Sequence, residues 1–87
     1  MVPRRSKYEI VSEILKMANT REGINVTRIV YSVNLNFKNA QETISELIRC
    51  GLLERVEGEG GKLRYRTTRK GLEYVRKYEE LESFQHF

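Results

Sequence analysis

One cysteine, one proline, one histidine, no aspartate and no long apolar run set the first limits on this chain. With Cys50 alone, an intramolecular disulfide is impossible and a reducing compartment is the simpler setting. Cys50 itself is expected as a small buried hydrophobe at a helix end. His86 is one residue from the C-terminus, where it finds no partners for a nucleophilic triad or a metal site. The expectation is a protein that is not an enzyme and needs no metal or cofactor. No stretch approaches the roughly 18 consecutive apolar residues of a membrane span, and no apolar run follows Met1 to Ser6 to make a signal peptide. A soluble intracellular protein is expected, with no membrane partner and no small-molecule ligand evident.

What is present is charge. Sixteen lysines and arginines face twelve glutamates, for a net charge of +4 and a pI near 9.4. That balance favours polyanionic partners. At 87 residues the chain can hold one core at most, and a domain this small is marginally stable unless something, such as a second subunit, supplements it.

Ser6-Lys7-Tyr8-Glu9 has the form of a capping box, and Ile10, Val11, Ile14, Leu15 and Ala18 recur behind it at helical spacing. A first helix is predicted over about Lys7 to Ala18. After a polar loop ending at Gly23, Ile24 is expected to pack inward, and a short second helix runs from about Thr27 to Ser32. Asn34-Leu35-Asn36 breaks the pattern, with Asn36 as N-cap of a third helix from Phe37 to Cys50. Its apolar positions are Phe37, Ala40, Ile44, Leu47 and Ile48, and Gly51 is placed to end it. Leu52 to Val56 and Leu63 to Thr67 read as strands around the glycine-rich Glu57 to Gly61. In the second strand Leu63 and Tyr65 share one face and Lys62, Arg64 and Arg66 the other. Thr68 caps a last helix from about Arg69 to Phe84.

The glycine-rich stretch is not a phosphate loop. Val56 stands where the first glycine of G-x-x-x-x-G-K-[ST] belongs, and Leu63 where serine or threonine belongs. The order of helix, helix, helix, hairpin, helix is instead that of a winged helix-turn-helix, a mostly α (α+β) fold. Binding duplex DNA requires a helix with polar and basic side chains outward and cations that reach flanking phosphates. The third helix offers Lys38, Asn39, Gln41, Ser45 and Arg49, with Asn36 at its N-terminus. Glu42 and Glu46 oppose that use, since a carboxylate beside phosphates repels even though it can accept from a cytosine amino group. Lys62, Arg64, Arg66, Arg69 and Lys70 place five cations in nine residues with no acid among them. Of these, Lys62, Arg64 and Arg66 are expected to meet phosphates. Arg4, Arg5 and Lys7 form a second basic cluster, either an arm on DNA or a solvated terminus.

The final helix carries Tyr74, Tyr78 and Leu81 at spacings of four and three, with Phe84 and Phe87 beyond. About 16 helical residues span roughly 24 Å, so the far half exposes aromatic rings unless another surface covers it. A homodimer through Tyr74, Tyr78, Leu81 and Phe84, as an antiparallel helix pair, is expected. The organisation is then a basic arm over residues 1–6, a helix-and-hairpin domain over 7–68, and a dimerisation helix over 69–87 packed on the same domain.

Three stretches together carry a family resemblance: Tyr31-Ser32-Val33-Asn34-Leu35-Asn36-Phe37-Lys38-Asn39-Ala40, then Leu47-Ile48-Arg49-Cys50-Gly51-Leu52-Leu53, then Tyr65-Arg66-Thr67-Thr68-Arg69-Lys70-Gly71. The chain resembles, over about Tyr8 to Leu81, archaeal winged helix-turn-helix proteins that dimerise through a C-terminal coiled-coil helix. The resemblance implies a transcription regulator or a nucleoid-associated chromatin protein, with its recognition helix over Asn36 to Cys50, its wing over Arg55 to Arg66, and its dimer helix from Arg69 onward. The rival reading is a protein-interaction module of the same fold inside a larger assembly. RNA binding is the third, against which no paired aromatics for base stacking are seen on a sheet.

Overall fold

A computed structural model describes residues 6–85, so Arg4, Arg5, His86 and Phe87 lie outside the described residues. The elements are α1 (Lys7–Ala18), α2 (Val26–Val33), α3 (Phe37–Arg49), β1 (Leu53–Glu57), a 3-10 turn (Glu59–Gly61), β2 (Leu63–Thr67) and α4 (Arg69–Gln85). The expected order is observed, with bounds that move by one residue at most.

Each helix begins where a short polar side chain can accept from a backbone N–H that has no partner within the helix. Ser6 Oγ accepts from Glu9 N at 3.1 Å, Asn36 Oδ1 from Asn39 N at 2.7 Å, and Thr68 Oγ1 from Gly71 N at 3.1 Å. Asn25 Oδ1 accepts from Arg28 N at 2.9 Å, which starts α2 one residue earlier than the apolar spacing indicates. At the end of α3, Gly51 N donates to Ile48 O at 3.0 Å and Leu52 N to Leu47 O at 2.8 Å. This crossed pair requires a left-handed residue, and Gly51 supplies it with φ +78°.

The strands pair antiparallel, with Leu53 opposite Thr67, Arg55 opposite Tyr65 and Glu57 opposite Leu63. Leu53, Tyr65 and Thr67 therefore face the core at the base of the hairpin, where they are buried. Leu63 shares their face but is 50% exposed, because the hairpin tip outruns the helices that would cover it. Ile24 adds a third, one-residue rung: its N–H and C=O each bond Tyr65 at 2.8 Å.

The core gathers Val11, Ile14, Leu15 and Ala18 of α1, Ile29 and Val33 of α2, Ala40, Ile44 and Leu47 of α3, and Val75 of α4. Ile24 packs inward as expected. Two expectations fail here. Phe37 is 58% exposed, since as the first residue of α3 it has no preceding turn to fold it onto. Cys50 is exposed rather than buried, because α3 ends at Arg49 and Cys50 turns away with the cap. Thr67 Oγ1, buried, donates to Leu15 O at 2.6 Å. That carbonyl belongs to the last turn of α1, where Asn19 N bonds Lys16 O instead. Gly71 lets α4 lie against the hairpin: a Cβ there would strike the Leu52 carbonyl oxygen and stand 2.6 Å from Thr67 Cγ2.

Candidate nucleic-acid interface

The buried positions of α3, Ala40, Ile44 and Leu47, define its inner side. At about 100° per residue the stripe opposite them is Lys38, Glu42, Ser45 and Arg49, all exposed. Asn39, exposed, and Gln41, half-buried, flank this stripe on opposite edges. Asn36 spends its side-chain oxygen on the cap, which leaves its amide N–H groups to meet a phosphate at the helix start.

The two acids of α3 are treated differently. Glu46 Oε1 accepts from Lys7 Nζ at 2.9 Å. The hydrogen bond and charge of Lys7 hold the Glu46 carboxyl below its ordinary value, and Glu46 raises the Lys7 ammonium in return. Both groups are largely solvated, so the pair adds little stability. Its effect on the surface is local neutralisation. Lys7, expected as a DNA cation, is engaged within the chain. Glu42 has no cation within ion-pair distance among the described residues.

The wing differs most from the expectation of three outward cations. Arg64 folds back so that Nε and Nη2 donate to Gly23 O at 3.3 and 3.1 Å. Arg66 Nε donates to Glu54 Oε2 at 3.0 Å and Nη1 to Arg21 O at 3.1 Å. Strand alternation places both side chains on the outer face correctly, but the α1–α2 loop lies over that face and captures them. The consequences differ. Glu54 neutralises Arg66, whereas the Gly23 carbonyl is uncharged and leaves the Arg64 cation intact, fixed in place. Lys70 Nζ donates to Cys50 O at 2.8 Å, where a cation suits the C-terminus of α3. Lys62 at the tip and Arg69 are exposed.

Sequence reading missed three exposed side chains on the wing and α2. Arg55 is exposed in β1 opposite Tyr65; Arg28 and Tyr31, the latter 82% exposed, lie on the outer side of α2. Plotting α2 as a wheel from Ile29 and Val33 outward was the available signal for the last two.

A second surface lies where α4 leaves the core. Tyr8, Tyr74, Tyr78 and Leu81 line an apolar groove of about 490 Å³ with Lys77 and Glu82 at its rim. Tyr74 and Tyr78 are half-buried, Leu81 and Phe84 exposed, and Tyr8 of α1 joins a stripe that was read from α4 alone. Burial pushes the Tyr74 phenol above its ordinary value; desolvation and a hydrogen bond with Glu82 do the same to Tyr78. Glu79 of α4 pairs with Lys16 of α1 at 3.4 Å.

Residues 4–86 match the winged helix-turn-helix family. The chain belongs to it. In this winged helix-turn-helix protein α2 and α3 form the helix-turn-helix and β1–β2 the wing, and membership points to DNA as the partner and to a typically non-enzymatic role. Comparison with curated proteins gave no match. Among the described residues no helix is long and apolar enough to cross a membrane, and no cluster of three His, Cys, Asp or Glu side chains is placed to hold a metal.

Proposed function

We propose that this protein is a homodimeric transcription regulator of the cytoplasm, bound to duplex DNA in the nucleoid, without enzymatic activity. In this reading α3 enters the major groove with Lys38, Asn39, Gln41, Ser45 and Arg49, Asn36 meets a phosphate at its start, and the wing lies on the flank. Lys62 and the fixed cation of Arg64 carry the wing's phosphate contacts; Arg66 contributes less. Arg4 and Arg5 add two further cations for phosphate.

The observation that carries the reading is the outward stripe of α3. It holds two exposed cations, Lys38 and Arg49, with no ion pair among the described residues, while Lys7, drawn against the helix from α1, cancels an acid. A helix surface used only for solubility has no need of that cancellation beside the stripe. The dimer rests on the α4 groove. An antiparallel pairing of two copies about the middle of Lys77 to Glu82 sets Tyr78 against Leu81 and Lys77 of one copy near Glu82 of the other, so the groove complements itself in shape and charge.

Two measurements test this together. A shift titration on mixed duplex should show micromolar or tighter binding at low salt that weakens steeply at moderate salt. Light scattering should give twice the 10.3 kDa chain mass for the wild type, and about one chain mass for Leu81→Lys, whose side chain is exposed and not needed by the core. Absence of duplex binding with an intact dimer favours a protein-interaction module.

A further inference from the structure

The contrast between the two acids of α3 carries a statement about what the helix reads. An acid on a groove-facing helix is repelled by the phosphates on either side, and the chain removes this repulsion at Glu46 by placing Lys7 Nζ 2.9 Å from it. Among the described residues it does nothing of the kind for Glu42. Lys38, one turn earlier, is suitably spaced for an ion pair yet makes none among the described residues, and Arg49 lies almost two turns further on. Glu42 is exposed at the centre of the outward stripe, the sixth residue after the Asn36 cap. That is the N-terminal half of the helix, where recognition helices touch base edges.

We infer that Glu42 is a specificity residue, whose carboxylate accepts a hydrogen bond from the exocyclic amino group of a cytosine in the major groove. The inference rests on the DNA-binding reading above and adds to it a base and an atom. A carboxylate only accepts, so among the base edges of the major groove it suits cytosine N4 and adenine N6. At adenine the neighbouring N7 is a second acceptor that faces the carboxylate, and at guanine both O6 and N7 repel it. Cytosine is the base for which the charge is favourable. At every other base, and on the phosphates, Glu42 lowers affinity, so it acts as a filter against the wrong sequence as much as a contact to the right one.

The test is selection of bound duplexes from a random pool, followed by affinity measurements on the selected site and its single-base variants. Wild type should require a C·G pair at one position and discriminate against the other three by roughly five- to a hundredfold. Glu42→Ala should lose the preference at that position alone and bind unrelated duplex more tightly than wild type. Glu42→Gln, which can donate as well as accept, should move the preference there to adenine. Glu46→Gln makes the same charge change on the same helix and should leave every base preference in place. If Glu42→Ala tightens binding equally on all sequences and keeps the selected site, Glu42 is a repulsive bystander and the inference is overturned. Wild type that binds duplex without selecting any sequence overturns it too, but leaves DNA binding standing. Wild type that binds no duplex removes both.

Discussion

The wing can be tested through salt, because each phosphate neutralised by a cation adds about 0.9 to the slope of log affinity against log salt on duplex DNA. Alternation along β2 alone makes Lys62 and Arg66 equivalent. Their surroundings do not: Lys62 is exposed at the tip, while Arg66 lies 3.0 Å from the Glu54 carboxylate with a further bond to Arg21 O. Lys62→Ala should therefore flatten the slope by about 0.9, and between about 50 and 200 mM salt the wild-type advantage should shrink by about 3.5-fold. Arg66→Ala should change the slope by less than half as much, since an already neutralised guanidinium displaces few counterions. Glu54→Gln should do the opposite and steepen it, by freeing that charge while keeping the side chain's shape. Fluorescence anisotropy on one labelled duplex over a salt series measures all three. A full-unit flattening for Arg66→Ala, with no steepening for Glu54→Gln, would show that the intrachain pair opens on DNA and that its geometry in the free protein says nothing about the contact.

Two further outcomes concern the scaffold. Thr67→Val keeps the shape of the side chain but leaves the buried Leu15 carbonyl without its 2.6 Å donor, and should cost about 2 kcal/mol, or about 8–16 °C in melting temperature. Thr67→Ser keeps the donor and should lose about 1 kcal/mol for the missing methyl, so a serine variant less stable than the valine variant contradicts the role given to the bond. The Lys7–Glu46 pair should make stability depend on pH in a definite direction. Glu46 has a lowered value when folded, so the contribution is present above the ordinary 4.5 and is lost as pH falls through the lowered value. The small melting difference between wild type and Lys7→Met should therefore shrink as the pH is taken down from 4.5, and a constant difference would mean that the pair carries no linkage.

Much of this architecture is written locally. Ser6, Asn36, Thr68 and Gly51 act at the helix ends where their chemistry alone places them, because a cap and its orphan N–H or C=O group are three or four residues apart. What is not written locally is what crosses the chain. Arg64 and Gly23 are 41 residues apart, Arg66 and Arg21 are 45 apart, and Lys7 and Glu46 are 39 apart. A strand's period of two says which face a side chain leaves from, and nothing about which loop waits there. Phe37, Cys50 and Leu63 fail for a related reason: each fits an apolar periodicity, but each sits at the end of an element, where the core has run out. The site was legible to the same degree, with the face of α3 given by its own spacing and the wing's cations reassigned by distant partners.

The single rung at Ile24 has an effect on association as well. A hairpin this small ordinarily offers two unfinished edges to any extended strand that drifts by, which is how ribbons recruit strangers and begin to aggregate. Here the outward N–H and C=O of Tyr65 are already bonded to Ile24, so nothing can zip onto β2 without first prising that residue loose. Among the described residues only the β1 border stays open, and within five residues it presents Glu54, Arg55 and Glu57, charges that a stacked copy in register would set against their own kind.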